Sequence, residues 1–182
     1  MLIVLTHMIA NITVSYYSQI TSSLDLMSLP CPSCHEHGMH VFAYYTRYVK
    51  NPDCADKTKI RILRVRCIHC GATHAVLPSS IVPYSQITMK DTVAIIEAQS
   101  KEDAQMILDN NIHISAEDFR LTKLRFQNFW KSRILNIKAS LGNDSFFSEC
   151  ISVFKMQFMQ IPLTICGSYS CHHLIQGELF AA

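Results

Sequence analysis

The sequence predicts an α+β fold, with a small β-rich module followed by a block of three helices. Two Cys-x-x-Cys motifs flank a stretch with the pattern strand, loop, strand, which predicts the β-rich module. After Pro83 the apolar residues take the spacing of helices, which predicts the second part. We divide the 182 residues into four segments: a strand-containing segment (1–27), the β-rich module (28–85), the helical block (86–140) and an apolar C-terminal segment (141–182).

The composition excludes several classes of protein. Hydrophobic residues make up 49% of the chain and charged residues 16%, so the chain can bury a core and is not intrinsically disordered. The first apolar run, residues 2–5, is far shorter than the roughly 20 residues of a membrane helix or the roughly 7–15 of a secretory signal core. We expect a soluble, cytoplasmic protein with no membrane partner. Residues 2–5 are expected to form a strand that covers the β-rich module or pairs across a dimer, with Tyr16 and Tyr17 beside it.

Four of the eight cysteines have the spacing of metal ligands. A reducing compartment disfavours disulfides, so paired cysteines more often bind metal. Four thiolates complete the tetrahedron of Zn²⁺ and leave no open position for catalysis, which predicts a structural site. Gly71 after the second motif permits a left-handed backbone, whereas His35 stands where a glycine is expected after the first. We predict one structural Zn²⁺ bound by Cys31, Cys34, Cys67 and Cys70.

The residues between the two motifs predict a β-hairpin. Residues 41–50 are rich in aromatic and β-branched side chains, residues 51–57 form a loop, and residues 59–66 alternate basic and apolar side chains. A hairpin of this kind brings the two cysteine turns together. Residues 28–85 are therefore predicted to be a zinc ribbon.

Other interpretations of the cysteines and histidines stay open. A redox Cys-x-x-Cys is the main rival, although such a motif usually begins a helix in a βαβ unit. Histidines near the turns could replace a cysteine or contact the site from outside: His35, His37, His40, His69 and His74. A second metal could bind among Cys54, Cys166, Cys171, His172 and His173.

Three helices are predicted after Pro83, at residues 88–98, 101–112 and 116–138. Two of them begin at N-cap signatures, which are Ser100 with Asp103 and Ser115 with Asp118. The junction between the second and third helices resembles a helix-turn-helix, with Ile112 and Ile114 as apolar plugs on either side of His113.

Charge is unevenly distributed along the chain. The net charge is only +2, but residues 28–85 and 112–138 each carry +4, and residues 86–111 between them carry −3. Two basic blocks could face a polyanion, and a solvated surface without function is the alternative.

A helical wheel of the third helix separates a polar stripe from an apolar one. The polar stripe can reach phosphates and base edges in a major groove, and a solvated helix face is the alternative. Its members are Arg120, Gln127, Lys131 and Lys138, and Lys123 lies beside it. The apolar stripe is predicted to be core and contains Phe119, Phe126, Trp130, Ile134 and Ile137.

The hairpin also offers candidate nucleic-acid contacts. Its second strand contributes the basic residues Arg61, Arg64 and Arg66. The rings of Tyr44, Tyr45 and Tyr48, beside Arg47 and Lys50, could stack on single-stranded bases or simply be strand residues.

These motifs resemble a family of small, largely uncharacterised bacterial proteins encoded in insertion sequences of Firmicutes. The resemblance covers roughly residues 30–160 and rests on CPSC with a following HG, on RVRCIHCGATHAVLPSSIVPYS and on FKMQFMQ. It implies a zinc ribbon before a transposase-type helix-turn-helix, often encoded beside an integrase-type catalytic protein. It also implies that the four paired cysteines are the metal ligands.

The expected function is that of a non-enzymatic DNA-binding protein of a mobile genetic element, with DNA and a catalytic transposase as partners. After residue 138 only 44 residues follow, which is too few for a catalytic domain of the DDE type, and no arrangement of nucleophile, base and oxyanion donors is visible. The alternative is a protein-interaction module, an inhibitor or adaptor, which could also be a homodimer. Its motivation is the apolar segment with Phe146, Phe147, Phe154, Met156, Phe158 and Met159.

Overall fold

A computed structural model describes residues 2–4, 11–52, 54, 56–130 and 174–175. Its strands are β1 (Leu2–Val4), β2 (Met39–Val49), β3 (Thr58–Cys67), β4 (Thr73–Pro78) and β5 (Leu174–Ile175). Its α-helices are α1 (Val14–Ser22), α2 (Met89–Glu97), α3 (Lys101–Asn110) and α4 (Ala116–Arg125). A short 3₁₀ turn covers Leu26–Ser28, and a π-helical turn, Phe126–Trp130, follows α4. The α+β prediction is confirmed, and no helix in the described ranges has the length and apolarity to cross a bilayer.

The strands form one sheet in the order β2-β3-β4-β1-β5. The predicted hairpin is confirmed, because β2 and β3 pair antiparallel from Met39 opposite Cys67 to Val49 opposite Thr58. Strand β4, which was not predicted, pairs antiparallel with β3, and β1 pairs in parallel with β4. Residues 2–4 therefore form a strand, as predicted. This strand extends the sheet of the ribbon within the same chain.

Two hydrophobic clusters pack against β3. One contains Leu63 and Val65 with β1 and Ile20 of α1, and the other contains Ile60 and Ile62 with Tyr17. The Tyr17 hydroxyl lies between β3 and β4, where it accepts a hydrogen bond from Leu63 N–H at 2.8 Å and donates one to the Val76 carbonyl at 2.9 Å. Burial raises the pKa of Tyr17 far above its usual value. Helix α1 is thereby joined to the two central strands.

The helical block has its own small core. Ile87, Ile95 and Ile114 are buried together, and Phe119 of α4 packs against them as predicted. Capping boxes begin all three helices, at Thr88 with Asp91, Ser100 with Asp103, and Ser115 with Asp118, so both predicted N-caps are confirmed.

The ends of the predicted helices need correction. The second helix ends at Asn110, and the α-helical part of the third ends at Arg125, before the π-helical turn. The rest of the predicted third helix lies outside the described residues, as do the side chains of Trp130, Ile134 and Ile137.

The predicted pattern of plugs at the α3–α4 junction is wrong in one respect. Ile114 is buried, but the Ile112 side chain is 75% exposed and His113 is buried in its place. The reason is a polar partner: His113 Nε2 lies 3.1 Å from Asp91 Oδ2, which also accepts a hydrogen bond from Thr88 Oγ1 at 2.7 Å. A buried histidine is tolerated there because a buried carboxylate meets it.

Polar contacts join the ribbon to the helical block. Lys50 N–H donates to the Gln86 carbonyl at 2.7 Å, and the Lys50 ammonium forms an ion pair with Asp118 at the start of α4. Burial raises the pKa of Asp118, but hydrogen bonds from Lys50 and Ser115 outweigh this effect and hold the pKa below its usual value. These contacts hold the start of α4 against the loop end of the hairpin, where β2 ends.

Candidate metal centre

The two cysteine turns have the same local structure. In each turn the first cysteine accepts, at its carbonyl, the N–H of the fourth residue after it: His35 to Cys31 at 2.9 Å and Gly71 to Cys67 at 3.2 Å. The backbone N–H two residues after the first cysteine points at its sulfur at 3.4 Å in both turns. Each turn therefore presents a sulfur to which a backbone N–H points, an arrangement that suits a bound metal.

The four sulfurs converge on one point. Cys31 Sγ lies 3.6 Å from Cys70 Sγ, and Cys34 Sγ lies 3.6 Å from Cys67 Sγ. All four sulfurs lie within 4.8 Å of one another. A tetrahedral ion with metal–sulfur distances of about 2.3 Å requires sulfurs about 3.8 Å apart. The donor set and its spacing therefore fit a metal ion such as Zn²⁺.

Sulfurs of the two motifs are in contact with each other. Each cysteine of the first turn has its 3.6 Å neighbour in the second turn. The cluster is thus one site built by both motifs, which favours metal binding over the redox interpretation. Among the described residues this is the one group of three or more metal-type ligands. Cys54 is exposed and lies outside it, and Cys166, Cys171, His172 and His173 lie outside the described residues.

Backbone hydrogen bonds make the thiols unequal. Those from Cys70 and His69 lower the pKa of the Cys67 thiol to about 6, against the opposing effect of burial. A backbone hydrogen bond at Glu36 lowers the pKa of the Cys34 thiol, but burial and the other three thiols raise it by more, to about 12. The Cys67 thiolate is therefore favoured at neutral pH, and a bound cation would favour ionisation of the Cys34 thiol.

His74 contacts the cluster. It is buried on β4, and its Nε2 lies 3.5 Å from Cys31 Sγ. His69 Nε2 instead lies 3.0 Å from the His37 carbonyl, which ties the second turn to the end of the first. Two roles were considered for the histidines near the turns, replacement of a cysteine and contact with the site from outside. His74 has the second of these roles.

The second cysteine turn packs against Gly38. Ile68 N–H donates to the Gly38 carbonyl at 3.1 Å, and a Cβ added to Gly38 would lie 2.5 Å from Ile68 Cδ1. Gly38 also has a φ of +113°. The close approach of the two turns thus depends on a residue without a side chain.

The positions after the two motifs share a left-handed backbone, with φ of +66° at His35 and +71° at Gly71. This conformation costs a non-glycine residue about 1–2 kcal/mol, part of which is offset by the greater flexibility of glycine in the unfolded chain. We expect His35→Gly to raise the free energy of unfolding by about 0.5–1 kcal/mol. Urea unfolding of the zinc-loaded chain measures this change.

Gly71→Ala is the matched reverse change. The added Cβ would lie 3.4 Å from Arg66 Nη2, an ordinary contact, so its expected loss of stability comes from the backbone. A decrease in stability for His35→Gly would contradict the explanation and would show that the His35 side chain stabilises the turn.

In comparisons with known proteins, one family model matches part of the chain. Residues 31–113 match the model of DUF6431, a domain of unknown function. No curated protein and no solved structure matches the chain significantly. The DUF6431 match begins at the first cysteine of the site and ends at His113, so it includes all four cysteines, the hairpin and the Asp91–His113 pair, but not α4.

The candidate DNA contacts occupy different surroundings. On β3, within the DUF6431 match, Arg61 and Arg66 are exposed and Arg64 is half-buried, with its Nη2 donating to Thr73 Oγ1 at 2.9 Å. On α4, Arg120 is exposed and paired with Glu117 at 2.7 Å, and Gln127 in the following turn is exposed. Lys131 and Lys138 lie outside the described residues.

Lys123 has a structural contact that the sequence did not reveal. Its ammonium donates to the carbonyls of Ile96, at 3.2 Å, and Ala98, at the end of α2. It also lies 5.7 Å from the centroid of the Phe119 ring, and burial lowers its pKa. Lys123 thus satisfies carbonyls at a helix C-terminus, which its spacing on the wheel could not indicate.

Proposed function

We propose that this chain is a non-enzymatic DNA-binding protein of a mobile genetic element, in which a Zn²⁺-bound ribbon and a helix-turn-helix-like block contact duplex DNA. The observation that carries the proposal is the charge of the hairpin. Strands β2 and β3 contain five Lys or Arg residues and no Asp or Glu. Such a surface favours a polyanion, because each cation that neutralises a phosphate releases a counterion.

The hairpin cations are held by aromatic side chains. The Arg61 guanidinium lies 5.0 Å from the centroid of the Tyr44 ring, and that of Arg66 lies 5.7 Å from the centroid of Phe42. These contacts limit the conformations of both arginines without neutralising their charge. Ordered arginines suit phosphate recognition, since less conformational entropy is lost on binding.

The helical block supplies a second contact in this proposal. Arg120 and Gln127 are the exposed members of the polar stripe in the described part of the chain. Arg120 must exchange Glu117 for a phosphate or base, so its contribution is expected to be smaller than that of the hairpin arginines. Lys123 is expected to contribute to the stability of the fold more than to DNA binding, because carbonyls at the end of α2 already accept its hydrogen bonds.

The wider role rests on the resemblance to insertion-sequence proteins. In that role the chain binds an element end or an operator and brings a catalytic transposase to it. The ribbon presents the hairpin as a rigid unit, because the metal joins the residues on either side of β2 and β3. No reaction is assigned to the chain, since the four thiolates leave the ion without an open position.

A gel-shift series against duplex DNA from an element end tests the proposal. We expect Arg61→Ala with Arg66→Ala to weaken binding and to reduce the slope of log K against log salt by about 2, or about 0.9 for each lost phosphate contact. Arg120→Ala with Gln127→Ala is expected to give a smaller loss.

Lys101→Ala is the matched control, because Lys101 is an exposed cation at the start of α3 within the acidic block. Its salt slope is expected to equal that of the unchanged chain. Equal slopes for the hairpin double variant and the control would remove the hairpin from the interface. Absence of binding to any duplex at low salt would overturn the DNA-binding function.

One observation favours the alternative, a protein-interaction module. Strand β2 is an edge of the described sheet and exposes the large side chains of Val41, Phe42, Tyr44, Tyr45 and Tyr48. An exposed edge strand of this length can pair with a strand of a partner or of a second copy. In this alternative the chain binds no duplex in the gel-shift series, and Phe42→Ser weakens assembly with its partner.

A further inference from the structure

A cleft separates the hairpin from the loop that follows β4. Its volume is about 700 Å³, and it is open to solvent on one side. Such a volume lies within the range of about 300–1,000 Å³ that is typical of small-ligand sites. The residues that line it include Tyr45, Tyr48, Arg64, Thr73, Pro83 and Tyr84.

Tyr84 lines this cleft and has a strained backbone conformation. It has a φ of +59° and follows Pro83 in a turn in which Ser85 N–H donates to the Val82 carbonyl at 3.2 Å. The third position of such a turn normally holds glycine, because a side chain there is unfavourable. The Tyr84 side chain is also 91% exposed, so burial in the fold does not compensate for the strain. Strain of this kind is concentrated at functional sites.

The loop that carries Tyr84 is fixed on both sides. The Arg47 guanidinium donates to the Val82 carbonyl and to the Ser85 carbonyl, the latter at 2.5 Å. Lys50 N–H holds the Gln86 carbonyl at 2.7 Å. The ring of Tyr84 is therefore presented from a defined backbone, as an aromatic platform requires.

The charge of the cleft favours an anion. Of the described residues that line it, Arg47 and Arg64 carry a charge and none is Asp or Glu. Arg47 is already bound to the two loop carbonyls, whereas Arg64 has one described partner, the Thr73 hydroxyl. Arg64 can therefore direct further N–H groups towards a phosphate.

We infer that the cleft binds one nucleotide of single-stranded DNA, with the base stacked on Tyr84 and the phosphate held by Arg64. The inference rests on the proposed DNA-binding function and names a site within it that is separate from the duplex contacts of Arg61, Arg66 and α4. Stacking needs an exposed, fixed ring, and every base offers a π face. An unpaired nucleotide presents the face of its base, whereas a base pair within a duplex does not.

The test compares the zinc-loaded full chain with Tyr84→Gly and Tyr84→Phe, using fluorescence anisotropy with an unstructured 15-nucleotide oligothymidine. We expect Tyr84→Gly to bind this strand roughly 10-fold to 100-fold more weakly, the range expected for loss of one stacked base. Tyr84→Phe is expected to bind as the unchanged chain does, because the ring is retained. The thermal midpoint of Tyr84→Gly should be equal or higher, since glycine relieves the strain.

Met106→Ala is the control, because Met106 is a large exposed side chain on α3, away from the cleft and from the duplex contacts. Its binding to the oligothymidine is expected to be unchanged. Binding of Tyr84→Gly within twofold of the unchanged chain, or absence of binding by the unchanged chain, would overturn the inference. Duplex binding is measured in parallel, so a loss confined to the single strand separates the cleft from the proposed duplex interface.

Discussion

Cys70→Ser is expected to abolish metal binding and to unfold much of the ribbon. Cys70 is exposed, and its sulfur lies 3.6 Å from Cys31 Sγ within the four-sulfur set, so the change removes a ligand without placing a hydroxyl in the core. A structural zinc contributes about 10–16 kcal/mol of binding free energy, which is comparable to the whole stability of a domain, about 5–15 kcal/mol. Zinc content should fall from about one ion per chain to well below that level, measured by atomic emission after gel filtration.

Cys54→Ser is the matched control for this prediction. Cys54 is also an exposed cysteine but lies outside the cluster. The control should retain one zinc and the thermal midpoint of the unchanged chain, and a strong chelator should unfold it as it unfolds that chain. A zinc-loaded, stable Cys70→Ser would show that three thiolates and another group suffice. His74, with its Nε2 at 3.5 Å from Cys31 Sγ, would then be the first residue to replace.

Asp91→Ala is expected to destabilise the chain by about 2–3 kcal/mol, because it leaves the buried His113 imidazole without its partner and removes the acid of the capping box. The Asp91 carboxylate is buried, and it accepts hydrogen bonds from Thr88 and contacts His113 Nε2. The other ring nitrogen of His113, Nδ1, is buried and has no hydrogen bond within the described part of the chain, so the variant would leave both ring nitrogens without a partner there. Urea unfolding followed by circular dichroism measures the loss.

Asp103→Ala provides the comparison for Asp91→Ala. Both residues are the third-position acid of a capping box, but Asp103 is more exposed and its described hydrogen bonds join it to Gln99 and Ser100 of its own cap. Asp103→Ala should therefore cause a clearly smaller loss. Equal losses in the two variants would mean that capping alone accounts for the role of Asp91. The contact to His113 would then contribute nothing measurable.

Features set by short stretches of chain could be predicted from the sequence. The two cysteine turns, the hairpin between them and the capping boxes at Ser100 and Ser115 depend on residues a few positions apart, and the structure has all of them. Strand β4 was missed although residues 73–78 are mostly apolar, because a short run after a glycine has no distinctive period.

Contacts between distant residues could not be predicted in the same way. The helical wheel predicts that Lys123 lies beside the polar stripe proposed to contact DNA. In the fold, the end of α2 lies within hydrogen-bonding distance of the Lys123 ammonium. Likewise His113 was read as a polar residue between two plugs, and Asp91, 22 positions earlier, holds it in the interior. A side chain finds such a partner only when helices pack, and a one-dimensional pattern does not contain that packing.

The sequence by itself determined the ligands of the candidate metal centre and the α+β division of the chain, because turn geometry and hydrophobic period are local properties of the backbone. The tertiary structure decided which cations stay exposed, which polar groups are buried and where the cleft beside Tyr84 lies. Those outcomes depend on the pairing of strands and the packing of helices far apart in sequence. They are settled by the free energy of the whole fold, in which the large majority of buried polar groups find a partner.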